Sequence, residues 1–224
     1  MAAMYVEEAQ LLKELLEEFD PENDDAAVIQ EAVDEGFLRI DMNYGPEVKA
    51  NAIDILEQMW DITNQEDLLD TFDFLLKQGH RGKFKALVSH LDNFEKFKQI
   101  FEFDFADNDE VQMADEDYES LIAWLKKAVA LIGAPSILAW DMARVIHLLR
   151  LGVLADYITP EKAWPLIDSV YPVVQGQFKD WKHFAQSYLI GLTFWAGQED
   201  PIVKACCERL FGDPNFSPWV YYKW

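Results

Sequence analysis

The sequence predicts an all-α protein, on three observations. Apolar residues recur at three- and four-residue spacing through nearly the whole chain, the period of a helix with one buried face. Strict alternation of apolar and polar residues is absent beyond short fragments. Glycine and proline, 10 and 9 in 224 residues, are sparse and stand where helices should start or stop. This length fits one compact helical domain, and a bilobed arrangement divides it into an acidic lobe over 1–113 and an aromatic-rich lobe over 114–224.

Each element has a local cause. Leu11, Leu12, Leu15, Leu16 and Phe19 line a first helix that stops before Pro21, because proline disfavours helical geometry in the preceding residue. Asp24 caps a second helix ending at Gly36, and residues 37–46 read as a connecting loop. Pro46 suits the first turn of a third helix carrying Ile53, Leu56 and Trp60. Thr63 and Glu66 have the spacing of a capping box, opening a helix with Leu68, Leu69, Phe72, Leu75 and Leu76 that ends at Gly79. One helix is expected over 83–101. The following stretch, Glu102 to Glu119, holds nine acids and no base and reads as a loop or hinge, with Asp115 capping a helix closed by Gly133 and Pro135. Ser136 starts a helix over Ile137 to Leu151, ended by Gly152. Thr159-Pro160-Glu161 starts the next, which Pro165 and Pro172 should bend or split. A helix from about Trp181 to Trp195 stops at Gly197, and a short one runs from Pro201 to Gly212. The tail, Phe216 to Trp224, is aromatic enough to dock, and its own core is the expected surface.

Charge and cysteine bound the function. The net charge of −22 is unevenly spread: residues 1–120 carry 32 acids and 9 bases, a balance of −23, whereas 121–224 carry 9 acids and 10 bases, a balance of +1. Such a field repels phosphate backbones and anionic lipid, so no direct binding to nucleic acid or membrane surface is expected. It serves solubility, and it also steers a basic protein partner toward the acidic face. No stretch approaches the roughly 18 apolar residues of a membrane span, and the start, Met1 to Glu8, has no basic region before an apolar run, so a cytoplasmic location is expected. Cys206 and Cys207 are adjacent, a spacing at which a disulfide would strain a helix, so they should be free thiols. Four scattered histidines spell out no metal or cofactor site. The spacing of Asp20, Glu22, Asp24 and Glu31 is partly that of a calcium loop, but Asp25 stands where the sharp turn wants glycine.

Two places hold polar residues among apolar ones. Gly79-His80-Arg81-Gly82 follows a helix stop, where a cation meets the last carbonyls and the negative end of the dipole. Trp140-Asp141-Met142-Ala143-Arg144 puts Asp141 and Arg144 on one helix face, spaced for a partly buried ion pair. Tyr157, Trp164, Tyr188 and Trp195 have polar tips that can join Asp141, Arg144 and Glu161 in one network. As structure this is a satisfied polar core that fixes helix register. As function it is a pocket in which Arg144 clamps an anion and Asp141 or Glu161 moves a proton.

At these residues the chain resembles a known family. Trp60-Asp61-Ile62-Thr63, Gly79-His80-Arg81, Ala139 to Arg144, Tyr157-Ile158, Glu161 to Trp164 and Ser187 to Trp195 are similar to the domain of unknown function 1266 family of bacterial proteins, over about residues 55–197. The pattern departs at Leu192, where an arginine is common. The resemblance implies a bacterial, helical, cytoplasmic protein of undetermined activity and brings no catalytic residue. Together with the charge split, the expectation is a non-enzymatic acidic module that binds a basic protein, as an immunity or antitoxin-like inhibitor would. The alternative is an enzyme or small-ligand sensor whose Asp/Arg/Glu pocket takes an anionic metabolite.

Overall fold

The computed structural model describes residues 46–105, 113–134, 136–212 and 224, and helix is the regular secondary structure throughout them. The helices are α1 (Pro46–Trp60), α2 (Gln65–Lys77), α3 (Arg81–Val88), α4 (Phe94–Phe105), α5 (Asp115–Ile132), α6 (Leu138–Leu154), α7 (Pro160–Val174), α8 (Trp181–Ala196) and α9 (Pro201–Gly212). The two helices expected before Gly36, the loop after them, the calcium-type spacing, the middle of the acid run and most of the tail lie outside the described residues.

α6 organises the fold. Most of its residues are buried, from Leu138 through Val153, so unlike an amphipathic surface helix it must be covered on every side. α1, α2, α7 and α8 supply that cover, so the core joins helices from both sides of residue 113. Leu56 from α1, Leu68 and Leu75 from α2, Ala163 from α7 and Phe184 from α8 are among the fully enclosed side chains. Each large aliphatic one contributes about 1.5–3 kcal/mol relative to exposure. Close approach is enabled by small residues: a Cβ on Gly191 of α8 would lie 2.3 Å from the Trp140 Cβ, so only glycine lets these two helices meet there.

Several boundaries differ from expectation, each for a local reason. The cap of α2 is Asn64, whose Oδ1 accepts from the amides of Glu66 at 2.8 Å and Asp67 at 3.1 Å. Asp67 reaches back to the amide and hydroxyl of Thr63, so the expected Thr63/Glu66 box is shifted by one residue. The single helix expected over 83–101 is two, α3 and α4, because Asn93 restarts the chain by accepting from the Lys96 amide at 3.1 Å. Ala114 precedes α5, and Asp117 accepts from its amide at 3.2 Å, which leaves Asp115 in the first turn rather than at the cap. α6 does not stop at Gly152 but runs through it to Leu154. That glycine is there for packing, since a Cβ would sit 2.3 Å from Leu68 Cδ2. α7 continues through Pro165 and Pro172, both at exposed positions, where a helix best tolerates the carbonyl that each proline leaves free.

The other signals match. Gly79 ends α2 with φ +56°, its amide donating to the Phe74 carbonyl at 2.8 Å. Gly197 ends α8 in the left-handed conformation, and Asp180 caps its start by accepting from the His183 amide at 2.7 Å. Pro201 and Gly212 bound α9. Cys206 and Cys207 are free thiols. The terminal Trp224 does dock on the protein's own core, edge-on to Trp181 at 4.8 Å and to Phe178 at 5.8 Å. No helix of the described residues is long and apolar enough to cross a membrane.

Candidate functional site

The site forms where the end of α2 turns into α3 and lies across α6. Asp141 is in the first turn of α6 and completely buried. Its Oδ1 accepts from the His80 amide at 2.9 Å, and Oδ2 accepts from the Arg81 amide at 3.1 Å and from Arg81 Nη1 at 2.9 Å. The carboxylate thus receives the first free amides of α3 together with a guanidinium. The same guanidinium donates to the carbonyls of Leu75 and Leu76, each at 2.7 Å, which ties off the end of α2. Gly79 makes the approach possible: besides its positive φ, a Cβ there would lie 2.1 Å from Asp141 Oδ2.

The ion pair expected between Asp141 and Arg144 is therefore made with Arg81, sixty residues away in sequence. Arg144 is also buried, but its guanidinium lies over indoles: 4.1 Å from the Trp60 ring centroid, 4.9 Å from Trp140 and 6.0 Å from Trp195. Its Nη1 donates to His80 Nδ1 at 2.6 Å, so that nitrogen is the acceptor and carries no proton in this arrangement. His80 consequently bridges the two residues, its amide on the carboxylate and its ring on the guanidinium.

The remaining candidates divide. Tyr188 and Trp195 pack on Trp140, at 5.2 and 6.0 Å between centroids, with Tyr188 buried and Trp195 half-exposed. Burial, and next the neighbouring Cys207, push the Tyr188 phenol far above its ordinary value. The Trp140 Nε1 is buried with no hydrogen-bond partner. Tyr157 follows the end of α6, where burial and the carboxylates of Glu57 and Asp67 raise its phenol, and Trp164 packs partly buried against the core. Glu161 is exposed in the first turn of α7, held below the usual carboxylate range by a hydrogen bond from the Thr159 side chain. The single network expected from the sequence thus becomes a bridged pair with an aromatic cover, and Glu161 instead bonds locally to Thr159.

Sequence reasoning underrated Gly79-His80-Arg81, reading it as the end of a helix, and left Trp60 out of the polar cluster. The usable signal was a histidine and an arginine between two glycines, which is more than a helix stop requires. Among the described residues no group of three or more His, Cys, Asp or Glu side chains is placed to hold a metal ion.

These features define a class: an all-α domain built round one buried helix, whose carboxylate is received by a Gly-His-Arg turn. The chain belongs to the family described as a protein of unknown function (DUF1266), whose model matches residues 55–224. That match continues past residue 197 to the end of the chain. It is similar to uncharacterized protein YbeU of Escherichia coli (strain K12), 26% identical over 148 residues that span 64% of this chain and 58% of that protein. It is also similar to uncharacterized protein YbeR of the same organism, 20% identical over 169 residues, 74% of this chain and 68% of that one. No solved structure matches it.

Proposed function

We propose that this protein is a non-enzymatic, acidic module that binds a basic protein partner, an immunity-type inhibitor of a toxin nuclease being one concrete form. The observation that carries the reading is the charge split, −23 over residues 1–120 against +1 over 121–224. A face of that sign accelerates encounter with a basic protein by roughly ten to a thousandfold at low salt. The site geometry supports it from the other side. Asp141, the buried acid best placed to move a proton, already accepts three hydrogen bonds, and Glu161 bonds locally to Thr159 at an exposed helix start. Acid-base work by that pair is not favoured.

The test is the rate of association with the purified product of an adjacent reading frame encoding a basic toxin, followed from about 0.02 to about 0.5 M salt, across which screening shortens severalfold. A rate that falls at least tenfold agrees with the reading. Association indifferent to salt, or none at low salt, refutes it.

A further inference from the structure

A cleft of about 520 Å³ opens beside the Gly-His-Arg turn, between the end of α2, α3, the end of α5 and the start of α6. Its volume lies within the ordinary range of small-molecule sites. Its walls differ in charge from the rest of the chain. Lys77, Arg81 and Lys85 line it and no aspartate or glutamate does among the described residues, although the chain has 41 acids and 19 bases. Two of these cations are already engaged, Arg81 by Asp141 and Lys77 by Asp73. Lys85 is exposed and has no ion-pair partner among the described residues. The amides of Gln78 and Gln177 add neutral donors, and Phe84, Val88, Val129 and Leu138 give the cleft an apolar lining.

One wall of the cleft is held in a strained conformation. Ser136, on the cleft wall, has φ +57°, a left-handed backbone conformation that residues other than glycine rarely adopt. It is held there by the fully buried Ser187, whose hydroxyl donates to the Ser136 carbonyl at 2.7 Å and accepts from the Ala139 amide at 3.2 Å. The Ser136 hydroxyl itself is enclosed by the protein and has no hydrogen-bond partner in it.

We propose that this cleft binds a small oxyanion carried on an apolar body, of the aryl phosphate or aryl carboxylate class, with Lys85 meeting the anion and the Phe84–Val129 side receiving the body. The proposal moves small-ligand recognition away from Asp141, Arg144 and Glu161. The probes are phenyl phosphate, phenylacetate and the neutral benzyl alcohol, titrated calorimetrically at low ionic strength. Saturable binding of either anion, absent for the alcohol, is expected. Tighter binding of phenyl phosphate identifies a doubly charged head as the preferred one, and tighter binding of phenylacetate a carboxylate. Lys85→Glu, at an exposed position, should weaken the anion at least tenfold, and Val129→Trp should abolish binding by filling the cleft without changing its charge. Thermal melts of both variants confirm that each is folded. No saturable heat from either anion up to about 10 mM would overturn the proposal. So would equal binding of the alcohol, or parent-like binding by both folded variants.

Discussion

Asp141→Ala tests whether the buried carboxylate is a structural fastener. The substitution leaves the amides of His80 and Arg81 without an acceptor and takes from Arg81 the only carboxylate among its hydrogen-bond partners, the Leu75 and Leu76 carbonyls remaining. An unsatisfied buried donor costs about 1–3 kcal/mol, so two amides alone amount to about 2–6 kcal/mol. Breaking a buried ion pair from one side costs about 3–5 kcal/mol, in agreement. Because Asp141 is fully enclosed, little solvent enters to soften the loss. Arg144→Ala should cost less, about 1–3 kcal/mol, since it removes stacking on Trp60 and Trp140 and one contact to His80. Urea titrations of both variants beside the parent give the two differences. Asp141→Ala within about 1 kcal/mol of the parent, or costing less than Arg144→Ala, would refute the reasoning.

Other outcomes follow from the same geometry. His147 is partly buried on α6, and desolvation, then Arg150 and Arg144, bring its imidazole down to about 4. The unfolded chain therefore takes up this proton first. The stabilisation is full above pH about 6.5 and is lost as pH falls toward 4, at about 1.4 kcal/mol per unit. His147→Gln should flatten the decline in unfolding free energy between about pH 7 and pH 5, and parallel declines would contradict the assignment. Gly79→Ala forces a methyl group into a carboxylate held by three hydrogen bonds, at a positive φ, and should cost at least about 3 kcal/mol; a melting temperature within about 2 °C of the parent would show the turn to be pliant. Burial, then Cys206 and Glu208, push the Cys207 thiol up to about 12, so a disulfide reagent at pH 8 should titrate Cys206 quickly and Cys207 only on unfolding. Equal rates for the two thiols would mean that α9 opens readily from the core.

The helices were legible because their causes are local. Apolar spacing, Pro46, Thr159-Pro160 and the glycines at 79, 133 and 197 act within one turn, and the structure places starts and stops accordingly. The same locality explains the errors at element ends: Asn64 outcompetes Thr63 as a cap, and Asn93 starts a new helix, through one or two local hydrogen bonds that spacing alone does not rank. The chain by itself also determined the uneven charge, the free thiols and the family pattern around Trp140-Asp141 and Gly79-His80-Arg81.

Partner choice was a different matter. Asp141 and Arg144 are three residues apart on α6, and helical geometry offers them to each other. Asp141 takes Arg81 because packing α2 and α3 across α6 delivers two free amides and a guanidinium to one buried point, a combination that no neighbour on its own helix can match. Likewise, Gly152 reads as a stop until Leu68 lies against it, and Trp60 reads as core until Arg144 stacks over it. The sequence by itself determined that the described residues are helical, and most of the places where their helices start and stop. Which buried group meets which was decided only in the tertiary structure, because those energies depend on distances between residues tens of positions apart, fixed by how whole helices pack.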